Sequence, residues 1–252
     1  MQLSATQFQQ IEDLLPRQRG NVKVSNLQVI NAILFVAANG CKWRALPEHY
    51  GKWHTVYTRM LRWSRAGVLD RVFEQLQRRR LMQVRIEAVC LDSSIVKVHP
   101  DGTGAPQKNG PQALGRNRGG WSTKLHLVAA DDRHSVTWSL TLSQAGDAPE
   151  GRRLIQALGP LPQLVALLMD SAYQDDATRE TALRLGWMPV VPPNPQRRQP
   201  WPYDRQLYRK RNQIERLFRR LKAWRRVFTR YDKLDLMFAA FITSALIAEA
   251  LR

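Results

Sequence analysis

Near residue 85 the apolar residues of this chain stop recurring every third or fourth position and begin to come in short, nearly continuous runs. The first spacing belongs to helices buried on one face and the second to strands. The chain therefore divides into an all-helical domain, residues 1–82, and an α/β domain, residues 83–252. In the first, Ser4 with Gln7 forms a capping box ahead of Phe8, Ile11 and Leu15, and Pro16 to Gly20 ends that helix. Ser25 caps a second helix, stopped by Gly40. A third, about Lys52 to Ala66, sets Trp53, Val56, Tyr57 and Met60 on one stripe, and a fourth runs from Val68 to Gln77.

In the second domain, Ile86 to Leu91 is a short strand that ends on Asp92. Lys124 to Ala130 and Ser135 to Leu142 form an antiparallel pair. Leu164 to Met169, apolar throughout, is a strand buried on both faces that ends on Asp170. Helices are expected over Pro149–Leu158 and Asp175–Leu185, with Asp147 and Glu150 spaced as a capping pair before the first. A strand, Trp187 to Val191, precedes a connector with five prolines between Pro192 and Pro202. A basic helix, Arg205 to Trp224, and an apolar one, Leu234 to Leu251, complete the chain. Three strands, then helix, strand, helix, strand, helix: this order resembles that of an RNase H-like α/β domain.

Lys and Arg number 39 against 21 Asp and Glu, a formal charge of +18. Such an excess points to a polyanion, nucleic acid first. The two cysteines, Cys41 and Cys90, are too few for a disulfide framework and agree with a reducing cytoplasm. No signal-peptide pattern is present. The longest apolar run, Leu236 to Ile247, is shorter than the roughly 20 residues of a membrane span, so no membrane partner is expected.

Asp92 and Asp170 close the first and fourth strands, which are neighbours in an RNase H-like sheet, and Glu215 lies in the basic helix that would cross their ends. Three converging carboxylates are hard oxygen ligands suited to Mg²⁺ or Mn²⁺, and a pair of such ions serves phosphodiester chemistry. Tyr208, Arg211, Glu215 and Lys222 stand at offsets of zero, three, seven and fourteen, within roughly a 60° arc of one helix face. Arg205 to Arg230 holds eleven Lys or Arg and one acid, Glu215. Such a face combines a metal ligand with phosphate contacts.

The spacing Tyr208–Arg211–Glu215–Lys222 is also the signature around the catalytic glutamate of insertion sequence 4 and 5 superfamily transposases, which this chain resembles. The segment Gly40 to Val68, GCKWRALPEHYGKWHTVYTRMLRWSRAGV, resembles the N-terminal domain of insertion sequence 5 family members, and so does Gly115 to His126, GRNRGGWSTKLH. The resemblance covers nearly the whole chain. It implies a bacterial, nucleoid-associated DDE transposase whose triad is Asp92, in LDSSIVKVH, Asp170, in LLMDSAY, and Glu215. It implies two Mg²⁺ per active site, with Mn²⁺ able to substitute, and double-stranded DNA, both transposon ends and target, as partner. Gly146 stands where many relatives carry His. The interval Val191 to Glu215 is too short for an inserted domain.

Other residues extend this picture. Thr55, Arg59 and Arg62 oppose the apolar stripe of the third helix, as on a helix laid in the major groove. Arg219 and Arg220 join Lys222 as phosphate contacts. Six glycines fall between His99 and Gly120; with Lys108, Arg116 and Arg118 they suggest a mobile loop that DNA orders near the active site. Trp201 is a packing residue or a wedge for a base step, and Lys124 and His126 share a strand face that could approach the site. The apolar helix around Phe238, Phe241 and Leu246 is a buried element or, with the first two helices, the surface of a homodimer or larger assembly. A non-catalytic DNA-binding repressor descended from a transposase is the rival reading.

Overall fold

A computed structural model describes residues 2–81, 86–105, 110–160 and 164–252. Lys108 falls outside them. In chain order the elements are α1 (Ala5–Gln9), α2 (Asn26–Asn39), α3 (Trp53–Arg65), α4 (Val68–Leu81), β1 (Ala88–Val98), β2 (Gly115–Asn117), β3 (Gly120–Ala129), β4 (Ser135–Leu142), α5 (Asp147–Leu158), β5 (Val165–Met169), α6 (Asp176–Arg184), β6 (Trp187–Val190), α7 (Arg205–Tyr208), α8 (Asn212–Lys222), α9 (Arg225–Phe228), β7 (Thr229–Arg230) and α10 (Asp235–Ala250). Among the described residues no helix is long and apolar enough to cross a membrane.

The chain forms two compact units. One gathers residues 1–80, 96–112 and 220–252; the other holds 81–95 and 113–219. In the first, Ser4 and Ser25 make the capping boxes their spacing predicts, with Gln7 and Gln28. Gly40 ends α2 in the left-handed region, φ 67°, which a side chain would disfavour. The helix α10 packs against α2, α3 and α9. Its residues are apolar on every side, and such a helix belongs in an interior. Phe238, Phe241 and Leu246 are 0% exposed, so they are core and offer no dimer surface. The apolar side chains of α1 and α2, among them Phe8, Val29 and Ile33, are likewise buried. Trp43 stacks on Phe241 with ring centroids 5.8 Å apart, and Trp224 donates to Glu249 at 3.0 Å. Two buried arginines are each paired with an acid: Arg230 with Asp235 at 2.8 Å, and Arg226 with Asp232 at 3.6 Å. The described ends of the glycine-rich segment are structured as well. Gly102 is buried against the Arg230 carbonyl, leaving no room for a Cβ, and β2 forms a hairpin with β3.

The second unit is built on a mixed sheet in the order β2-β3-β1-β5-β6, with β4 paired to β3. The β3–β4 and β2–β3 pairs are antiparallel, while β1–β5 and β5–β6 are parallel. This mixed sheet with its helices fits an RNase H-like fold. Val89, Leu91, Val165, Leu167 and Met169 turn one face of the central strands toward Leu154 and Ile155 of α5, with Tyr173, Ala182 and Trp187 completing the core. The strand predicted to stop at Asp92 continues to Val98, because Lys97 and Val98 pair with β7. The predicted long basic helix is interrupted: α7 and α8 are separated by a 3₁₀ turn, Arg209–Arg211, and Trp224 begins the turn into α9. Ile214, Leu217, Phe218 and Leu221 form the buried stripe of α8, leaving Glu215, Arg216, Arg219 and Lys222 exposed.

Candidate active site

Parallel pairing aligns Leu91 of β1 with Met169 of β5, so Asp92 and Asp170 follow adjacent residues on adjacent strands. The Asp170 carboxylate caps the turn after β5, accepting from the Ala172 N–H at 2.8 Å. Asp92 accepts from the Ser93 N–H at 2.7 Å. Side-chain directions alternate along β1. Leu91 and Ser93 face α5, and Asp92 therefore faces the other side. There Arg211 meets it: Nη1 lies 2.6 Å from Asp92 Oδ2, while Nη2 lies 2.8 Å from Glu215 Oε1. One guanidinium thus links two of the expected triad, and the sheet register places the third beside Asp92. Burial raises the pKa of Asp92 above the usual carboxylate range, with the charge of Asp170 adding to it and the Ser93 N–H and Arg211 opposing.

Tyr208 contributes its ring, whose centroid is 6.0 Å from the Arg211 guanidinium carbon, and packs edge-on against Tyr203. Cys90 faces the same side as Asp92, donating weakly to the Lys210 carbonyl, and burial pushes its thiol pKa up to about 12. It is a packing residue, not a nucleophile.

Behind Asp92 lies a polar group that spacing alone does not reveal. Asp147 is the first residue of α5, with Gly146 as its N-cap, and its carboxylate takes a different task from capping. It accepts from Ser93 Oγ at 2.6 Å and pairs with Lys124 Nζ at 3.1 Å. Lys124 also donates to the Ala145 carbonyl at 2.7 Å. Glu150 likewise turns to Ser139 and Arg153. His126, fully buried under α5, shares a hydrogen bond with Thr141 at 2.8 Å, and its Nδ1 is 3.8 Å from Asp147. Lys124 and His126 therefore lie on the α5 side, the sheet face opposite to Asp92, and Lys124 braces β1 through Asp147 and Ser93. Asp147 sits between two predicted elements, and only the hydroxyl of Ser93, next to a candidate acid, hinted at its role.

A hollow of about 840 Å³ opens beside Asp170, lined by Ser171, Ala172, Arg152, Asp175, Gln196 and Arg197. Trp201 packs against the core: its Nε1–H donates to the Val191 carbonyl, and Arg179 and Arg197 lie over its ring at 3.6 and 4.6 Å. Arg116 and Arg118 are exposed at the β2–β3 hairpin, and Arg219 is exposed on the last turn of α8 together with Lys222. In the other unit, Thr55 and Arg62 are exposed on α3, whereas Arg59 is half-buried and donates to the Val24 carbonyl at 2.8 Å. A hollow of about 490 Å³ there is lined by Lys23, His49, Lys52, Thr55 and Arg59.

Among the described residues no three His, Cys, Asp or Glu side chains stand close enough to enclose one metal ion. The donor chemistry nevertheless fits a hard divalent cation, since Asp92, Asp170 and Glu215 are carboxylates only. A cationic guanidinium already balances two of them.

In sequence, the chain is similar to known transposases. Residues 3–73 match the family described as "Putative transposase of IS4/5 family", and residues 84–249 match "Transposase DDE domain". A "Putative transposase for insertion sequence element IS6501" of Brucella ovis is 31% identical over 122 residues, 48% of this chain and 92% of that protein. "Insertion element IS402 uncharacterized 16.2 kDa protein" of Burkholderia cepacia is 35% identical over 111 residues, 40% of this chain and 73% of that protein. Among solved structures, the piggyBac transposase synaptic complex with hairpin DNA matches with a TM-score of 0.41 and 10% identity, over 76% of this chain and 47% of that one. This chain thus spans about half the length of the piggyBac protein. The Mos1 transposase paired-end complex with the left transposon end matches with a TM-score of 0.27 and 14% identity, over 72% and 64%. The matched domain covers most of the chain, and the protein belongs to the DDE transposases, in the insertion sequence 4/5 family.

Proposed function

We propose that this protein binds the terminal inverted repeats of an insertion sequence, cleaves the element's ends by hydrolysis and joins each freed 3′-OH to target DNA. The observation that carries the reading is the register Leu91↔Met169, which sets Asp92 beside Asp170 while Arg211 draws Glu215 to Asp92. Water attacks the phosphodiester at the element's end and breaks its P–O3′ bond, leaving a 3′-OH on the element and a 5′-phosphate on the flank; that 3′-OH then attacks a target phosphodiester and displaces the target's own 3′-oxygen, so no covalent protein–DNA intermediate is needed. Asp92, Asp170 and Glu215 would hold Mg²⁺, two ions per site, with Mn²⁺ able to substitute. When bound, the metal supplies Lewis acidity at the scissile phosphate. Arg211 orients Asp92 and Glu215, and Asp147, Ser93 and Lys124 fix the strand that carries Asp92.

Tyr208, Arg211, Arg219, Arg220 and Lys222 would line the path of the DNA backbone, with Lys108, Arg116 and Arg118 approaching from the segment before β3. Residues 1–82 would form the DNA-binding domain, with Thr55, Arg59 and Arg62 reading base edges. Residues 83–252 would form the catalytic domain. Joining two ends requires two active sites, hence a homodimer or larger assembly in the DNA complex, acting on the bacterial nucleoid.

The test is cleavage of duplexes carrying the element's ends in Mg²⁺. Asp92→Ala, Asp170→Ala and Glu215→Ala should each abolish cleavage and strand transfer while keeping end binding in Ca²⁺. A triad variant with normal strand transfer would overturn the assignment. Wild-type protein that binds ends and never cuts them would favour the repressor reading.

A further inference from the structure

The β2–β3 hairpin carries a feature that the triad does not use. Its two strands pair Gly115↔Ser122, Arg116↔Trp121 and Asn117↔Gly120, leaving Arg118 and Gly119 as a two-residue turn. Trp121 is 48% exposed, Arg116 and Arg118 are exposed beside it, and a cross-strand pair places Arg116 on the same face as the indole. A hairpin with so large an apolar ring in water would ordinarily be loose, yet this one is braced. Asn117 donates to Ser122 Oγ and accepts from the Gly119 N–H, both at 2.8 Å. Thr123 Oγ1 donates to the Ala113 carbonyl at 2.6 Å. Gly115 is buried so tightly against Ser143 and Gln144 that no side chain fits there. Gly120, at φ 98°, supplies the backbone turn.

Strand parity says where this ring points. Lys124 and His126 face α5, since both meet Asp147. Trp121, an odd number of residues away, faces the opposite side of the sheet, which is the side of Asp92. Lys124 also marks the level of the site along the strand, through Asp147 to Ser93. Trp121 is three residues from Lys124, roughly 10 Å at about 3.3 Å per residue. A DNA strand advances about 3.4 Å per nucleotide, so the same span is about three nucleotides.

We propose that the hairpin is a DNA wedge. The indole of Trp121 stacks into a base step about three nucleotides from the scissile phosphate, and Arg116 and Arg118 hold the phosphates on either side. An exposed, rigid aromatic between guanidiniums suits nucleic acid better than a protein partner. Every base has a face on which to stack, and the cations match the backbone. This inference rests on the transposase reading and adds to it the place where the end is distorted.

The experiment uses the full-length protein in Ca²⁺ and 40-base-pair duplexes from the DNA bordering the gene, each with one 2-aminopurine at positions one to six from the terminal bond. With wild-type protein the fluorescence should rise severalfold at one position between two and four. Trp121→Ala should return it to the free-duplex value and weaken end binding about tenfold, while Trp121→Phe should keep most of both. Arg116→Ala should leave the fluorescent position unchanged and lower the salt slope by about one. A wild-type complex without a fluorescent position, or an unchanged profile in Trp121→Ala, overturns the proposal. So does a Trp121→Ala protein altered only in subunit stoichiometry by light scattering, which would make the ring a contact between copies. Failure of wild-type protein to bind any end duplex would instead remove the transposase reading on which the wedge depends.

Discussion

The Arg211 guanidinium is held 2.6 Å from the Asp92 carboxylate, and the same group reaches Glu215 four residues farther along the chain. Asp92 is only 17% exposed, so leaving it without a counter-charge is costly. On the proposed function, Arg211 and a divalent cation would serve the same pair of acids. Arg211→Gln should therefore bind Mn²⁺ several-fold more tightly by calorimetry, while strand transfer falls at least about tenfold because a phosphate-binding group is gone. Unchanged or weaker Mn²⁺ binding in this variant would mean that Arg211 positions the carboxylates without competing for them.

The two sets of basic residues should separate in their dependence on salt and sequence. Arg219→Ala or Lys222→Ala, both on the exposed side of α8, should weaken binding to every duplex and reduce the salt slope by about one unit per lost phosphate contact. Arg62→Ala should narrow the difference in affinity between terminal-repeat and random DNA. Arg59→Ala should in addition lower thermal stability, because its guanidinium holds the Val24 carbonyl. Equal loss of specificity from all four substitutions, measured by competition binding, would merge the two surfaces.

Gly151, on the inner side of α5, has no space for a methyl group. A Cβ there would lie 2.6 Å from the Tyr173 ring and 3.0 Å from Leu91. Gly151→Ala should destabilise the protein by about 2 kcal/mol through overpacking, lowering the melting temperature by about 4–8 °C. It should also slow cleavage, since Leu91 precedes Asp92 and α5 carries Asp147. Calorimetric melting beside a cleavage assay measures both effects.

His126 makes stability depend on mildly acidic pH. Burial lowers its pKa from 6.5 to about 4, against the attraction of Asp147 and Glu150 and with the repulsion of Lys124 and Arg153. The folded imidazole is neutral, whereas the unfolded one takes up a proton below pH 6.5, so the unfolded state binds more protons in that window. Stability is then complete above pH 6.5 and falls as the pH drops toward 4. Between pH 7 and pH 5 the loss should be about 2 kcal/mol. Denaturant titrations of wild type and His126→Gln at both pH values should show that difference only in the wild type.

Much of the local structure was legible because its causes are local. Both serine capping boxes, the Gly40 stop, the β3–β4 pair and the apolar strand before Asp170 follow from residues within a few positions of each other. The positions of the three acids proposed as the triad were legible too, Asp92 and Asp170 at the ends of apolar runs and Glu215 alone in a basic segment. Tertiary structure decided what lies far apart in the chain. Strand β1 runs on past Asp92 because β7, more than 130 residues later, offers it partners. The apolar period of α10 could not distinguish an interior from a subunit contact, and burial of Phe238 and Phe241 made it interior. The tasks of Asp147 and Glu150 depended on which strand passed under α5, and that is not encoded beside them. A period of two says that Trp121 and Lys124 point apart; it cannot say which side holds Asp92. Periodicity fixes how a residue faces its own element, and only the pairing of distant elements determines what it faces.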